Sequence, residues 1–295
     1  MRHDSMRNAL TIDVEDYFQV SALAPYIPRE HWDSHDCRVE RNVDRILLIL
    51  DDHYSTKATF FTLGWIAERY PHLVRRIVDC GHELASHGYG HQRASELSEP
   101  AFRDDIETAK KILEDVSGRQ IKGYRAPSFS IGKGNLWAFD CLEGAGYRYS
   151  SSIYPIHHDH YGMPDAPRFA HRVRDGLLEL PVTTARLFAR NWPASGGGYF
   201  RLMPYPMSRW LLRRVNRVDG QPAIFYFHPW EIDDGQPRIP GINAKTRFRH
   251  YLNLHRTEGR IRCLLDDFVW GRMDEIFLAN PEHAVASDSL TTKGR

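Results

Sequence analysis

Short apolar, β-rich runs alternate with longer amphipathic stretches along most of the chain. Residues 9–14 read as a strand that ends abruptly in acids. Further strands are expected at 58–62, 82–86, 121–124, 147–153, 177–183 and 223–227. Between them, residues 42–53, 64–80, 100–116, 135–143 and 208–217 carry apolar positions at helical spacing, and Gly81 and Gly118 mark two helix ends. After His228 the pattern turns to loop and helix, with helices expected at 245–254 and 260–268. No internal repeat is present. Strand followed by helix, repeated, predicts an α/β fold of parallel units curled into a barrel. The expected organisation is a barrel domain over 8–235, a helical C-terminal extension over 236–283 packed on it, and a disordered tail over 284–295.

Composition narrows the function classes. With 42% hydrophobic and 12% aromatic residues the chain can build a large core and is not intrinsically disordered. Lys and Arg number 39 against 38 Asp and Glu, a balance that speaks against a nucleic-acid binder. The longest apolar runs, such as 46–50, fall far short of the ~20 residues that cross a bilayer. No apolar stretch of signal-peptide length follows the basic start, so a cytoplasmic location is expected. Cys37, Cys80, Cys141 and Cys263 form no CxxC pair, and free thiols are the default. The 16 histidines direct attention to where they cluster.

In barrels of this type the chemistry gathers at the C-terminal ends of the strands, and that rule selects among the polar residues. The first strand ends Thr11-Ile12-Asp13-Val14-Glu15-Asp16. Alternation puts Asp13 and Glu15 on one face, where they are costly unless solvated, paired or bound to a cation. A solvated turn that caps a helix is the plainer alternative. The third strand leads into Ser86-His87-Gly88-Tyr89-Gly90-His91, two imidazoles four apart that could share one side of a helical turn and hold a divalent metal. A lone HxxxH is a weak signal, and His157, His158 and His160 make a second cluster that is either a ligand set or a polar loop. One carboxylate with two histidines would be a facial triad with positions open for water and substrate. The fourth strand delivers Arg125, which could simply neutralise the acids, and the last delivers His228, which could simply be a packing histidine.

The ordered set Thr-Ile-Asp-Val-Glu-Asp, Ser-His-Gly-Tyr-Gly-His, Arg125-Ala-Pro-Ser-Phe-Ser and Phe227-His-Pro-Trp resembles the polysaccharide deacetylases with a NodB-homology domain, carbohydrate esterase family 4. The segments Tyr161-Gly-Met-Pro-Asp-Ala-Pro-Arg-Phe, Gly196-Gly-Gly-Tyr-Phe-Arg and 247–268 are similar to the subgroup found at exopolysaccharide loci of bacteria with the PEP-CTERM/exosortase system. The resemblance spans roughly residues 8–275 and implies a distorted (β/α) barrel of the NodB-homology type. It implies Asp13 as base, Glu15, His87 and His91 as metal ligands, Arg125 as the partner of Asp13, His228 as acid and the Ser128 backbone N–H as oxyanion donor. Two departures are visible. Val14 separates the acids of the first motif, so Asp16 is a rival ligand to Glu15. The family's acid that steadies the arginine is missing from Tyr149-Ser150-Ser151-Ser152.

The implied activity is removal of N-acetyl groups from an N-acetylated polysaccharide or oligosaccharide, with one divalent metal, zinc before cobalt, nickel or manganese. Trp192, Tyr199, Phe200 and Tyr205 around three glycines suit sugar stacking or a packed lid, with Tyr199 taken as the substrate contact. Residues 243–272 hold seven Lys and Arg against three acids, either an attractor for an anionic polymer or lipid surface or a solvated helix face. A cytoplasmic or lipid-linked intermediate, met at the polysaccharide assembly machinery, fits the expected location. The alternatives are an allantoinase-like amidohydrolase acting on a small cyclic amide, and a catalytically silent glycan-binding protein.

Overall fold

The computed structural model of the chain describes residues 6–158 and 162–279. Its first half is built of βα units: β1 (Arg7–Val14), α1 (Val39–Asp52), β2 (Thr59–Thr62), α2 (Gly64–Arg69), α3 (Pro71–Asp79) and β3 (Glu83–Ser86). The pattern continues through α4 (Glu99–Ser117), β4 (Gly123–Tyr124), α5 (Ala138–Gly144) and β5 (Tyr149–Ser150). An antiparallel pair follows, β6 (His171–Arg174) with β7 (Leu177–Glu179), then a separate hairpin of β8 (Thr184–Leu187) and β9 (Arg190–Pro193). The chain ends through α6 (Gly197–Leu202), α7 (Tyr205–Arg214), β10 (Ile224–Phe227), α8 (Ala244–Tyr251), α9 (Leu254–Asp267) and β11 (Val269–Gly271).

The main sheet has the order β10-β1-β2-β3-β4-β5-β7-β6, with β11 also paired to β1. Every pairing is parallel except β6 with β7. The sheet curls without closing, and irregular chain bridges β7 and β10. Ile224 N–H donates to Thr183 Oγ1 at 2.6 Å, and Tyr226 N–H donates to Ser195 O at 2.6 Å. This is the expected distorted α/β barrel, with the added finding that its sheet stays open. Alternation along β1 sets its two faces: Leu10, Ile12 and Val14 pack into the outer core with Val43, Ile46 and Leu50 of α1. On the other face Ala9 packs with Phe61, Tyr149 and Tyr226, below Thr11 and Asp13.

Five sequence expectations change, one of them the strand expected at 147–153, which is reduced to Tyr149–Ser150. The helix expected at 64–80 is two helices, because Pro71 lacks an N–H and keeps Tyr70 out of helical geometry (φ −125°, ψ 57°). The strand expected at 177–183 ends at Glu179, two residues before Pro181, which cannot donate to a ladder. The C-terminal region is helical as expected but adds β11, whose Val269 and Trp270 favour an extended chain. The hairpin of β8 and β9 had no counterpart in the strand pattern. His160, Tyr161 and residues 284–295 lie outside the described residues.

His82, at the start of the third strand segment, is buried and its Nδ1 accepts the Ala58 N–H at 3.2 Å. Burial, with Lys57 and Arg272 adding to it, lowers its pKa to about 4. A base whose folded pKa lies below its unfolded value stabilises fully above pH 6.5 and loses that contribution as pH falls towards 4. The loss should approach about 3 kcal/mol. His82→Asn, whose Oδ1 can accept the same N–H, should flatten the drop in urea midpoint between pH 7 and 4.5. An unchanged drop would remove His82 from the account.

Candidate active site

The strand ends bring six of the expected residues to one cavity of about 380 Å³. Asp13 and Glu15 come from the end of β1, His87 and His91 from the loop after β3, and Ser128 follows β4. His228 follows β10. Arg125 lies beneath them, fully buried.

Glu15, His87 and His91 each offer one ligand atom, all within 4.8 Å of one another. The imidazoles meet through a loop and not through a helical turn: His91 is left-handed at φ 54°. His87 Nδ1 donates to the Arg125 carbonyl at 2.8 Å, which leaves Nε2 as a lone-pair donor to the site. Burial lowers the His87 pKa to about 4 and keeps the ring neutral. Glu15 Oε2 lies 2.6 Å from His91 Nε2 without hydrogen-bond alignment, and this buried oxygen has no hydrogen-bond partner among the described residues. Burial disfavours the Glu15 charge, yet the imidazoles of His91, His228 and His87 outweigh it and hold the carboxyl well below its usual range. A buried, charged, donor-poor oxygen beside two imidazoles fits a divalent cation.

Asp16 is placed elsewhere. Its Oδ1 accepts from Tyr17 N–H at 2.7 Å, and its Oδ2 accepts from Arg38 N–H and from Val39 N–H at 2.7 Å, capping α1. Both oxygens are thereby committed to the backbone, which removes the structural case for Asp16 as a ligand.

Arg125 Nη1 donates to Asp13 Oδ1 at 2.6 Å and to Thr11 Oγ1 at 2.8 Å. Its Nη2 donates to Ser151 Oγ at 3.0 Å, and its face covers Phe61 at 4.1 Å. The acid missing from the 149–152 segment has a counterpart in β7. Glu179 is fully buried, and its Oε1 accepts from Ser152 N–H at 2.9 Å and Ile153 N–H at 2.8 Å, fixing the serine turn that holds Arg125. Burial raises the Glu179 pKa.

On the opposite side, His228 Nε2 lies 3.5 Å from Glu15 Oε1 and 3.9 Å from Asp13 Oδ2. His228 Nδ1 meets Glu231 Oε1 at 2.5 Å, and Arg201 Nε donates to Glu231 Oε2 at 2.7 Å. Burial opposes charge on His228, but Glu15, Glu231 and Asp13 outweigh it and raise its pKa to about 9. Arg201 also donates to the carbonyls of Arg249, His250 and Leu252, which ties the pair to the C-terminal region. Trp230 stacks between His228 and His250 and donates Nε1–H to Glu15 Oε1 at 3.0 Å.

Ser128 lines the cavity in a left-handed conformation, φ 56°, a strained geometry for a serine. Of the four aromatics around the glycines, only Tyr199 lines it; Phe200 is buried in the core, Tyr205 donates to Asp267, and Trp192 sits on β9. The glycines serve close approach: a Cβ on Gly196, φ 127°, would lie 1.8 Å from the Tyr226 carbonyl of β10. His158 lines the cavity and His157 is exposed.

Sequence reasoning missed Glu231, Arg201, Trp230 and Glu179. Glu231 stands three residues after His228, a spacing that a turn turns into contact, and Arg201 ends the glycine-aromatic segment. Nothing local marks Glu179.

Comparison with known proteins places this arrangement. Residues 32–149 match the polysaccharide deacetylase family model, and residues 151–278 match a model described as a domain of unknown function, DUF3473. Over residues 32–149 the chain is thus similar to the polysaccharide deacetylases. A peptidoglycan-N-acetylglucosamine deacetylase of Bacillus cereus is 37% identical over 95 residues, 32% of this chain and 34% of that protein. A chitooligosaccharide deacetylase of Azorhizobium caulinodans is 34% identical over 80 residues, 27% of this chain and 38% of that one. The matches thus span about a third of each curated relative's length. A Mycobacterium smegmatis structure, whose name proposes a polysaccharide deacetylase, superposes with a TM-score of 0.64 at 22% identity, covering 99% of this chain and 96% of its own. An allantoinase gives 0.56 at 15% identity, with 91% and 87% covered. These likenesses show the NodB-type fold. His228, Glu231 and Arg201 all fall in the 151–278 half.

Proposed function

We propose that this chain is a metal-dependent N-deacetylase of an N-acetylated polysaccharide or of its biosynthetic intermediate, in the exopolysaccharide setting that its subgroup motifs suggest. One observation carries the reading: Asp13 and His228, 3.9 Å apart, flank the Glu15, His87 and His91 cluster in one cavity at the strand ends. Glu15, His87 and His91 would hold the divalent ion, which when bound supplies Lewis acidity toward water and the acetamide oxygen.

Asp13 takes the proton of the attacking water through Oδ2, while Arg125 fixes Oδ1. The Ser128 backbone N–H donates to the developing oxyanion, a contact worth about 3 kcal/mol in the transition state. His228, held by Glu231, gives its proton to the sugar nitrogen as the carbon–nitrogen bond breaks. Acetate and a free amine leave. Tyr199 faces the sugar from the glycine-rich turn. The other expectations, a cytoplasmic site of action at the polysaccharide assembly machinery among them, join the proposal; no helix of the described residues is long and apolar enough to cross a membrane.

Acetate release from N-acetylated oligosaccharides tests the reading. Chelation should cut the rate at least 100-fold, since the hydrolytic water loses its activation. Stoichiometric zinc, cobalt, nickel or manganese should restore it. No acetate from any metal-loaded sample across a panel of oligosaccharides would overturn the proposal.

A further inference from the structure

The catalytic cavity opens into a second cavity of about 660 Å³, and the two share Ser21, Ala22, His91, Arg93, Lys245 and Arg249 as walls. Four cations line the second space: Arg29, Arg93, Lys245 and Arg249. Among the described lining residues Glu96 is the one acid, 3.5 Å from Arg93. Three separate parts of the sequence bring these cations together. Arg29 comes from the loop after β1, Arg93 from the loop after His91, and Lys245 and Arg249 from α8. The last two stand four residues apart, and that spacing puts both on one helix face.

Arg29 is seated rather than loose. Its guanidinium lies 5.2 Å from the Tyr89 ring centroid and 5.8 Å from that of Trp32. It packs so closely on Gly90 that a Cβ there would lie 2.1 Å from Cζ. Chain-wide charge is nearly balanced, so this concentration of one sign in a cavity beside the reacting centre is a local feature. It also accounts for part of the basic excess in residues 243–272: Lys245 and Arg249 turn it toward the site.

We infer that this second cavity is a subsite for an anionic group, carried on a sugar next to the N-acetylated one. The substrate is accordingly an acidic N-acetylated polymer, with a carboxylate or a phosphate ester beside the acetamide that reacts. The inference rests on the deacetylase reading for its substrate frame, but its binding test does not depend on turnover.

Calorimetry on the metal-loaded protein at low salt would compare three probes. These are neutral chitotetraose, a hyaluronan tetrasaccharide of alternating glucuronate and N-acetylglucosamine, and chitotetraose bearing one phosphate monoester. The acidic probes should bind about tenfold more tightly than the neutral one, and the advantage should shrink as salt rises. A gain for the hyaluronan probe alone assigns a carboxylate, and a gain for the phosphate probe alone assigns a phosphate. Lys245→Gln, at an exposed position, should lower the acidic-to-neutral affinity ratio several-fold while metal stoichiometry stays near one. Arg29→Gln should lower the same ratio. Equal affinities for all three probes would overturn the subsite, even where acetate release upholds the deacetylase. Absence of acetate release with a preserved acidic preference would overturn the deacetylase and leave the anion subsite standing.

Discussion

Asp13→Asn is expected to reduce kcat for acetate release by roughly 10²- to 10⁴-fold, the range for loss of a positioned general base. The expectation follows from how the two carboxylate oxygens are used. Oδ1 is taken by Arg125 at 2.6 Å, while Oδ2 faces His228 across the cavity at 3.9 Å. Asparagine can keep the Oδ1 contact and presents an amide where the base would act. The variant also leaves Arg125 fully buried without its ion-pair partner, a change that costs about 3–5 kcal/mol when such a pair is broken. Lost activity could therefore be lost structure, and a second variant separates the two. Asp13→Asn with Arg125→Met removes both charges, so much of the stability should return while activity stays absent. Metal stoichiometry should remain near one in both, since neither residue belongs to the 4.8 Å cluster. An Asp13→Asn protein that deacetylates at the wild-type rate would remove Asp13 from the mechanism.

The sequence revealed what local patterning controls. Asp13 and Glu15 share a face because a strand alternates, His228 sits at a strand end because the apolar run 224–227 precedes it, and His87 and Arg125 follow the short segments 82–86 and 121–124 read as strands. What it concealed depends on chain far away. Glu179 supports Arg125 only because β7 pairs with β5 in the register Ser150 with Glu179, and no local pattern records that pairing. Arg201 reaches Glu231 because glycines let its turn lie against β10. Asp16 was a rival ligand because Val14 separates the acids of the first motif; its use as a helix cap depends on the position of α1, which begins 23 residues further on. The break in the 64–80 helix was missed although its signal, Pro71, is local. β11 was not legible: three residues after a helix gain a strand identity only by pairing with β1.

Glu231→Gln is expected to lower kcat for acetamide hydrolysis by roughly 10²-fold, with KM little changed. Glu231 touches no substrate in this account; it positions His228, whose Nδ1 it meets at 2.5 Å, and it is itself held by Arg201 at 2.7 Å. The glutamine has nearly the same shape but no charge to stabilise a protonated imidazole. Its amide must also choose between His228, which offers an N–H, and Arg201, which offers only donors. A merely structural role would damage every substrate alike, so the leaving group supplies the discriminating readout. A sugar amine must be protonated as it departs, whereas 4-nitrophenolate leaves from 4-nitrophenyl acetate without a proton. Glu231→Gln and His228→Ala should therefore lose far more activity on N-acetylated oligosaccharides than on the ester, while Asp13→Asn should lose both, since water must be deprotonated in either reaction. Equal losses on the two substrates for Glu231→Gln would show that the Arg201–Glu231–His228 chain holds the fold together without steering the proton. A loss confined to the amide would place the acid half of the chemistry in the 151–278 region, the half of the chain that the deacetylase family model does not reach.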